Sequence, residues 1–355
     1  FTTEIIFGNI LRKYGFYEQS KTILKRQKNI VYDIIKEEKN ENNLLVLNEQ
    51  KIKIDLYYNK TLFRNGEINE AIKQARILVD LLDEKNEGNA YQKINNKLKG
   101  RIYGEYALYT KKKFNFTMDI DSKSNSNPKV AEQQYLFQKS NRFLSPRLVH
   151  RNIFLLGEDW YPKVKTKIMQ KNSVHSRDKV NSYQYKFDEY FNSNNLKINI
   201  KKLNNINDYL TLATKYYDKS HKYWYYFTNL NYESYRYLHL KRILAKEKGA
   251  DMDSKNILLC KSLEITYAKN AIKGIKNCLS LSGNNMKKGF QSCIKLIDIF
   301  FNLGGENDEI LDSIFNIIKE VKSIIFILVL PIIISRIGIN NQKILDKLIQ
   351  ILVNL

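Results

Sequence analysis

Proline is nearly missing from this chain, with four among 355 residues, and glycine is low at 14. Proline is excluded from helix interiors and glycine is disfavoured there, whereas sandwiches and barrels draw on both in their many turns. The shortage argues against a β-sandwich and for helices joined by polar Asn/Lys loops. Cysteine is as scarce. Cys260, Cys278 and Cys293 are too few and too far apart for a zinc site or a disulfide framework. All three fall in helical stretches, where buried, reduced thiols are expected. One apolar run, Ile324–Ile334, raises the question of a membrane. Pro331 breaks it, Lys322 and Arg336 flank it, and it falls well short of the roughly 20 residues a bilayer span requires. It reads as a buried core helix. The first residues do not read as a signal peptide.

Catalytic motifs are missing as well. Neither GxGxxG nor GxxxxGK[ST] occurs, so no glycine-rich loop is set to cradle a phosphate. A His-Arg-Asp loop, an Asp-Phe-Gly ligand, a Gly-x-Ser-x-Gly elbow and a His-Glu-x-x-His helix are all lacking. Asp308, Glu309 and Asp312 sit at a helix start, where carboxylates serve the helix dipole. His221 and His239 lie in Lys-rich polar sequence with no acidic or Cys partner at ligand spacing. No residue is therefore assigned a catalytic, cofactor-binding or metal-ligating role.

What the chain has in plenty is Lys, Asn, Ile, Leu and Tyr. Lys and Arg number 59 against 37 Asp and Glu, a formal charge of +22. Clustered cations attract phosphate backbones or acidic surfaces. Lys, Asn, Ile and Tyr rising together is also what an AT-biased coding sequence produces, and this reading outweighs a dedicated nucleic-acid footprint. The chain begins with Phe1 and stops inside an apolar helix at Leu355, which sets the expectation of a piece of a longer protein.

Periodicity predicts helices throughout the ordered-looking parts. Residues 1–25 form a hairpin, with Phe7, Ile10, Leu11 and Tyr14 on one stripe. Gly15 punctuates it, and Phe16, Tyr17, Ser20, Ile23 and Leu24 make the return. Residues 26–44 read as a solvated helix plus loop. The clearest hairpin lies between Leu45 and Leu82: Leu56, Leu62 and Phe63 on one helix, Gly66 at the turn, then Ala71, Ile72, Ala75, Leu78, Val79 and Leu82. Its "TLFRNGEINEAIKQA" has the form of a tetratricopeptide-type unit. A further helix runs Ile94–Tyr109. The stretch Asp119–Lys129 is polar and aperiodic, a loop or insertion. Residues 130–182 carry a basic run of Lys163, Lys165, Lys167, Lys171, Arg177 and Lys179, which reads as an exposed loop rather than a contact for DNA or an acidic partner. Tyr209, Leu212, Ala213, Tyr216 and Tyr217, then "KYWYYF" (Lys222–Phe227), then Tyr235, Leu238 and Ile243 form aromatic helices. Aromatics among lysines can stack bases, but this helical spacing favours core.

From Leu263 onward five short apolar helices are expected. Ala268, Ala271, Ile272, Ile275 and Leu279 line the first, closed by Gly283. Phe290, Ile294, Ile297 and Phe301 line the second, closed by Gly304-Gly305. Ile310, Leu311, Ile314, Phe315 and Ile318 line the third, capped by Asn307 or Asp308. The fourth is Ile324–Ile334, and the fifth carries Ile344, Leu345, Leu348 and Leu352. Phe301, Ile314 and Leu330 are expected to be nearly fully buried, and Lys347 to lie on an outer face. Stacking hairpins in a row is how such short helices bury their stripes.

The order "NAIKGIKNCLSLSGNN", "FQSCIKLIDIFFNLGG" and "FILVLPIIISRIG" resembles the end of the FAT domain of the phosphatidylinositol-3-kinase-like protein kinases. "LKGRIYGEYAL" and "YLTLATKYYDKSHKYW" resemble earlier segments of it. Ile299-Phe300-Phe301 stands where the family has a Leu-Trp-Leu segment, a departure, while Leu330-Pro331-Ile332 and Ser335-Arg336 fit. The spacing is most similar to the ataxia-telangiectasia-mutated (ATM) branch and its yeast counterpart, with ATR and TOR as close rivals. The resemblance implies an all-α solenoid of stacked antiparallel hairpins, TPR/HEAT-like. It implies an N-terminal repeat part at residues 1–112, an irregular basic insertion at 113–182, and a C-terminal part at 183–355 leading toward a kinase domain. It further implies nuclear DNA-damage checkpoint signalling and telomere maintenance, with ATP and Mg2+ belonging to the kinase domain and none to this segment. Implied partners are that kinase domain, protein activators and a second copy through the solenoid; DNA is reached only indirectly and a membrane not at all. Two other readings stay open: a free-standing helical-repeat adaptor, and a basic nucleic-acid-binding protein.

Overall fold

The computed structural model describes residues 2–84, 93–113, 194–247, 249–283, 286–320, 329–334 and 341–354. The basic run at 163–179, the insertion at 113–182 beyond Lys113, and Ile324–Leu328 of the expected fourth helix lie outside the described residues. Among the described residues all regular structure is helical. The helices are α1 (Thr2–Lys13), α2 (Tyr17–Glu37), α3 (Glu41–Arg64), α4 (Ile68–Asp83), α5 (Asn96–Lys113), α6 (Asn194–Tyr216), α7 (His221–Glu247), α8 (Lys255–Ser282), α9 (Met286–Leu303), α10 (Asp308–Glu320), α11 (Leu330–Ile334) and α12 (Gln342–Asn354). Two compact units divide the chain: Phe1–Asn115 with Asn194–Leu240 and Leu259–Leu355, and Phe116–Ser193 with Lys241–Leu258. Within the first, α1 packs on α2, α2 on α3, α3 on α4, α4 on α5, α5 on α6, and α10 on both α9 and α12. Of the second, the described part is the end of α7, its glycine turn and the first residues of α8. That turn closes on itself, with the Ala250 amide donating to the Ala245 carbonyl at 3.0 Å.

The turns explain the hairpins. At the end of α1 the Phe16 amide donates to the Leu11 carbonyl at 2.9 Å, and at the end of α3 the Glu67 amide donates to the Leu62 carbonyl at 3.0 Å. Both are the six-to-one closures that require a left-handed residue just past the helix. Gly15 (φ 89°) and Gly66 (φ 90°) supply it. Asn40 then starts α3 by accepting from the Asn42 amide at 2.9 Å, Asn307 starts α10 by accepting from Ile310 at 3.0 Å, and Asn341 starts α12 by accepting from Ile344 at 3.2 Å. Each satisfies an amide that the helix itself leaves unpaired.

Burial follows contacts on both sides of a helix. Ile54 of α3 packs with Ile5, Leu24 and Val31 of α1 and α2. Ile52 and Leu56 of the same helix pack instead with α4, α5 and Tyr223 of α7. Helix α3 is therefore a middle layer. On α5, Gly100 and Gly104 let neighbours come close. A methyl on Gly100 would lie 2.6 Å from the Tyr217 Cβ, and one on Gly104 would lie 2.6 Å from the Tyr223 ring Cδ1.

Several stripes sit where the periodicity puts them. Ala268, Ala271, Ile272, Ile275 and Leu279 are buried, as are Ile310, Leu311, Ile314, Phe315 and Ile318. Others are rotated. Phe7 and Ile10 of α1 and Tyr14 just past its end are exposed, and Ile5 and Gly8 face inward. Gly8 offers no side chain, so Leu24 fits against its backbone, and its carbonyl accepts from the buried Ser20 hydroxyl at 2.8 Å. The small face is the one that docks. On α9 Cys293, Leu296, Ile297, Ile299, Phe300 and Leu303 are buried apolar residues, while Phe301 is only half-buried. Asp298 and Lys295 turn that face toward α7, where the Tyr232 hydroxyl donates to Asp298 at 2.8 Å. Leu330 is likewise half-buried, since Val329, just before α11, and Ile333 within it take the inner positions. Lys347 is not simply outward: its ammonium lies 3.4 Å from Asp312 and 4.4 Å from the centre of the Phe315 ring. Helix α8, at 28 residues, is far from short.

Candidate functional site

Charge converges on one buried carboxylate. Glu105 of α5 is 4% exposed. Its Oε1 accepts from the ammonium of Lys222 at 2.6 Å and of Lys60 at 3.2 Å, and from the Tyr223 hydroxyl at 3.2 Å. Helices α3, α5 and α7 each contribute a group. Burial would raise the Glu105 carboxyl, but the two ammonium groups hold it below its ordinary range. Burial also lowers the Lys60 ammonium to about 8, against the pull of Glu105 and with a push from Arg101 and Lys222. Tyr109 and Tyr223 are raised, by burial first and by the Glu105 charge second. Arg12 of α1 is lowered by burial and by Arg64. Chemically this is a clasp: every partner of Oε1 is a donor, and the ion pairs join helices far apart in sequence.

A second polar group joins α7 to α8. His239 Nδ1 lies 2.6 Å from Glu264 Oε1, both residues buried. By sequence His239 lies in Lys-rich polar surroundings with no acidic or Cys partner at ligand spacing. The structure corrects this, because helix packing closes a gap of 25 residues that no local spacing reveals. Tyr235 lies beside the imidazole, with ring centres 5.7 Å apart. Further along, the Lys295 ammonium donates to Asn229 and lies 4.9 Å from the Tyr225 ring centre. Burial lowers it to about 8. Burial also raises the Cys278 thiol to about 11 and the Cys293 thiol to about 12. Cys260, Cys278 and Cys293 are all buried, the position the sequence leads one to expect.

The aromatic helices are interior. Tyr223, Trp224, Phe227 and Tyr235 are buried. Tyr103 stacks on Tyr216 at 5.9 Å, and Tyr209 meets Tyr106 edge-on at 4.9 Å. The rings are spent on helix packing. Among the described residues no three His, Cys, Asp or Glu side chains come together in a way that could hold a metal ion. No helix among them is long and apolar enough to cross a membrane. Asp308 and Asp312 sit in the first turns of α10 and pair with Lys343 at 3.0 Å and Lys347 at 3.4 Å.

Among the described residues, several exposed apolar side chains cluster on the outer face of α1 and the turn after it. Ile6, Phe7, Ile10, Tyr14 and, just past the turn, Phe16 are between 40% and 77% exposed. The sequence counted most of these as inner residues. Comparison with models of known protein families gives no match to this chain, and comparison with curated proteins gives none either.

Proposed function

We propose that this chain is a non-catalytic helical scaffold, a solenoid-like FAT segment of a large serine/threonine kinase of the ATM type. Its work is to hold and bias the kinase domain in nuclear DNA-damage signalling and telomere maintenance. The family assignment rests on the C-terminal order of helices and on Leu330-Pro331-Ile332 and Ser335-Arg336. The observation that carries the scaffold part is the run of consecutive helix contacts from α1 to α6, with two hairpins turned by the same glycine closure. Stacked hairpins transmit strain between nearest neighbours, so a partner bound at one place can shift an equilibrium at another. ATP and Mg2+ belong to the kinase domain of this proposal.

A second reading is a free-standing helical-repeat adaptor that binds proteins only. The transcript decides between them. An open frame continuing past the codon for Leu355 into a lipid-kinase-like catalytic domain is the expected result. A stop codon there contradicts the kinase reading and leaves the adaptor.

A further inference from the structure

Helices α3 and α5 run side by side in a register that three contacts fix. The Arg101 guanidinium lies 5.6 Å from the centre of the Tyr57 ring. The Lys60 ammonium lies 3.2 Å from Glu105, and Phe63 stacks on Tyr109 with ring centres 4.5 Å apart. Arg101, Glu105 and Tyr109 are four apart on α5 and share one face. Arg64 follows Phe63 directly, which brings it to the Tyr109 end of this seam. Helix α7 adds Lys222, 2.6 Å from Glu105. Arg12, near the end of α1, is close enough to Arg64, Tyr109 and Glu105 for all three to act on it electrostatically.

The charges along the seam do not balance. Lys60, Arg64, Arg101, Lys222 and Arg12 gather around a single carboxylate, Glu105. Arg12, Arg64 and Arg101 form no ion pair among the described residues. Glu67, three residues past Arg64, is taken by Lys21 at 2.8 Å. Hydrogen bonding is incomplete at the same end. Tyr109 is 2% exposed. Its hydroxyl comes near enough to Glu105 to be raised by that charge, yet it makes no hydrogen bond among the described residues. The buried Arg12 Nε makes none either, while Nη2 of the same group donates to Asn9 at 2.7 Å. Buried donors are paired as a rule. A cation in the last turn of a helix serves its dipole, which accounts for Arg12 and Arg64 being basic but not for a bare phenol beside them. Arg64 is exposed, so this end of the seam opens to solvent.

We propose that Arg12, Arg64 and Tyr109 bind a phosphate group, as the free ion or as the end of a small ester, where α1, α3 and α5 meet. A tetrahedral dianion offers acceptor oxygens in several directions, as donors from three helices require, and a planar carboxylate offers only two. Guanidinium groups match phosphate oxygens in charge and geometry. The ion offsets the excess of positive charge and ties three helix ends together, so it acts as a structural ligand of the first hairpins. The site stands apart from the kinase and adaptor readings. ATP turnover by this chain alone would overturn the scaffold reading and leave the site untouched.

Isothermal titration calorimetry of the purified full chain with sodium phosphate, at constant ionic strength, tests this. One saturable site is expected, and equal concentrations of chloride or acetate should not displace the ion. Phosphate should also raise the urea midpoint, because it binds the folded chain. Tyr109→Phe keeps the ring on Phe63 and removes only the hydroxyl. It should weaken phosphate about tenfold, the size of loss expected for one hydrogen bond to a charged group. In phosphate-free buffer its urea midpoint should match or exceed the parent's. Arg64→Gln, at an exposed position, should weaken phosphate about tenfold as well, and Lys73→Gln on α4 should not. Glycerol phosphate separates the two sources: binding that Tyr109→Phe weakens shows that an ester is admitted, and no binding leaves the free ion as the ligand. Absence of phosphate binding overturns the proposal, as does displacement by chloride or equal binding by Tyr109→Phe and the parent. So does a Tyr109→Phe midpoint well below the parent's in phosphate-free buffer, because the hydroxyl would then be paired within the chain.

Discussion

Gly104→Ala sets two known effects against each other, and the structure decides which wins. Glycine in a helix interior costs about 1 kcal/mol relative to alanine, so on an open helix face this change stabilises. At position 104 the new methyl would lie 2.6 Å from Cδ1 of the Tyr223 ring and 2.7 Å from its Cζ. Carbon pairs are comfortable at about 3.5–4.0 Å, so the ring must move by about an ångström or more. It is poorly placed to do so: Tyr223 is 2% exposed, and its hydroxyl donates to Glu105 at 3.2 Å. Overpacking of this kind costs about 1–3 kcal/mol, and straining the hydroxyl bond adds about 1 kcal/mol at most. After the propensity gain, a net loss of up to about 3 kcal/mol remains, centred on about 1–2 kcal/mol. Gly8→Ala is the comparison. There the nearest atoms are Cγ and Cδ2 of Leu24 at 3.0 Å, on a side chain that can shift, and the expected change is near zero. Urea unfolding followed by circular dichroism at 222 nm reads both midpoints. A Gly104→Ala midpoint equal to or above the parent's would refute the α5–α7 packing.

Ile314→Ala, at a fully buried position of α10, should lower stability by about 2–5 kcal/mol, and half-buried Leu330→Ala by clearly less; paired urea melts compare them. Lys60 at about 8 lies below the 10.5 of an exposed lysine, so between these values the unfolded chain keeps a proton that the folded one has released. Stability should therefore rise as pH increases through that window, and Lys60→Met should flatten the rise in urea midpoints measured at pH 7.5 and 9.5. With their thiols raised to about 11 and 12, Cys278 and Cys293 should stay unmodified by a thiol reagent at neutral pH until urea unfolds the chain, as mass spectrometry can follow.

How much of this was legible in the sequence depends on how many sides of a helix are covered. Helix α10 has one apolar stripe and buries that stripe, so Ile310 to Ile318 were readable at once. Helices α4 and α8 behave alike. Helix α3 buries Ile54 toward α1 and α2 and Ile52 toward α5, and two-sided burial blurs the period. On α1 the apolar residues outnumber the inner positions, and a glycine rather than an aromatic decides the docking face. The Glu105 clasp was not legible. Lys222 lies 117 residues away, and nothing local in "GRIYGEYAL" distinguishes a buried glutamate from a solvated one. His239 and Glu264 were hidden in the same manner, by a contact that only the packing of α7 on α8 creates.

If the chain is the non-catalytic scaffold of a larger kinase, as proposed, phosphate transfer belongs to the native polypeptide and not to these 355 residues. The native polypeptide bearing them should be isolated through an antibody raised to residues 41–64 and assayed for ATP-dependent phosphorylation of a Ser/Thr peptide, beside the purified 355-residue chain. The expected result is transfer by the native polypeptide, peptides mapping beyond Leu355 into a catalytic domain, and no transfer by the chain alone. A native polypeptide of 42.0 kDa that transfers no phosphate would contradict it.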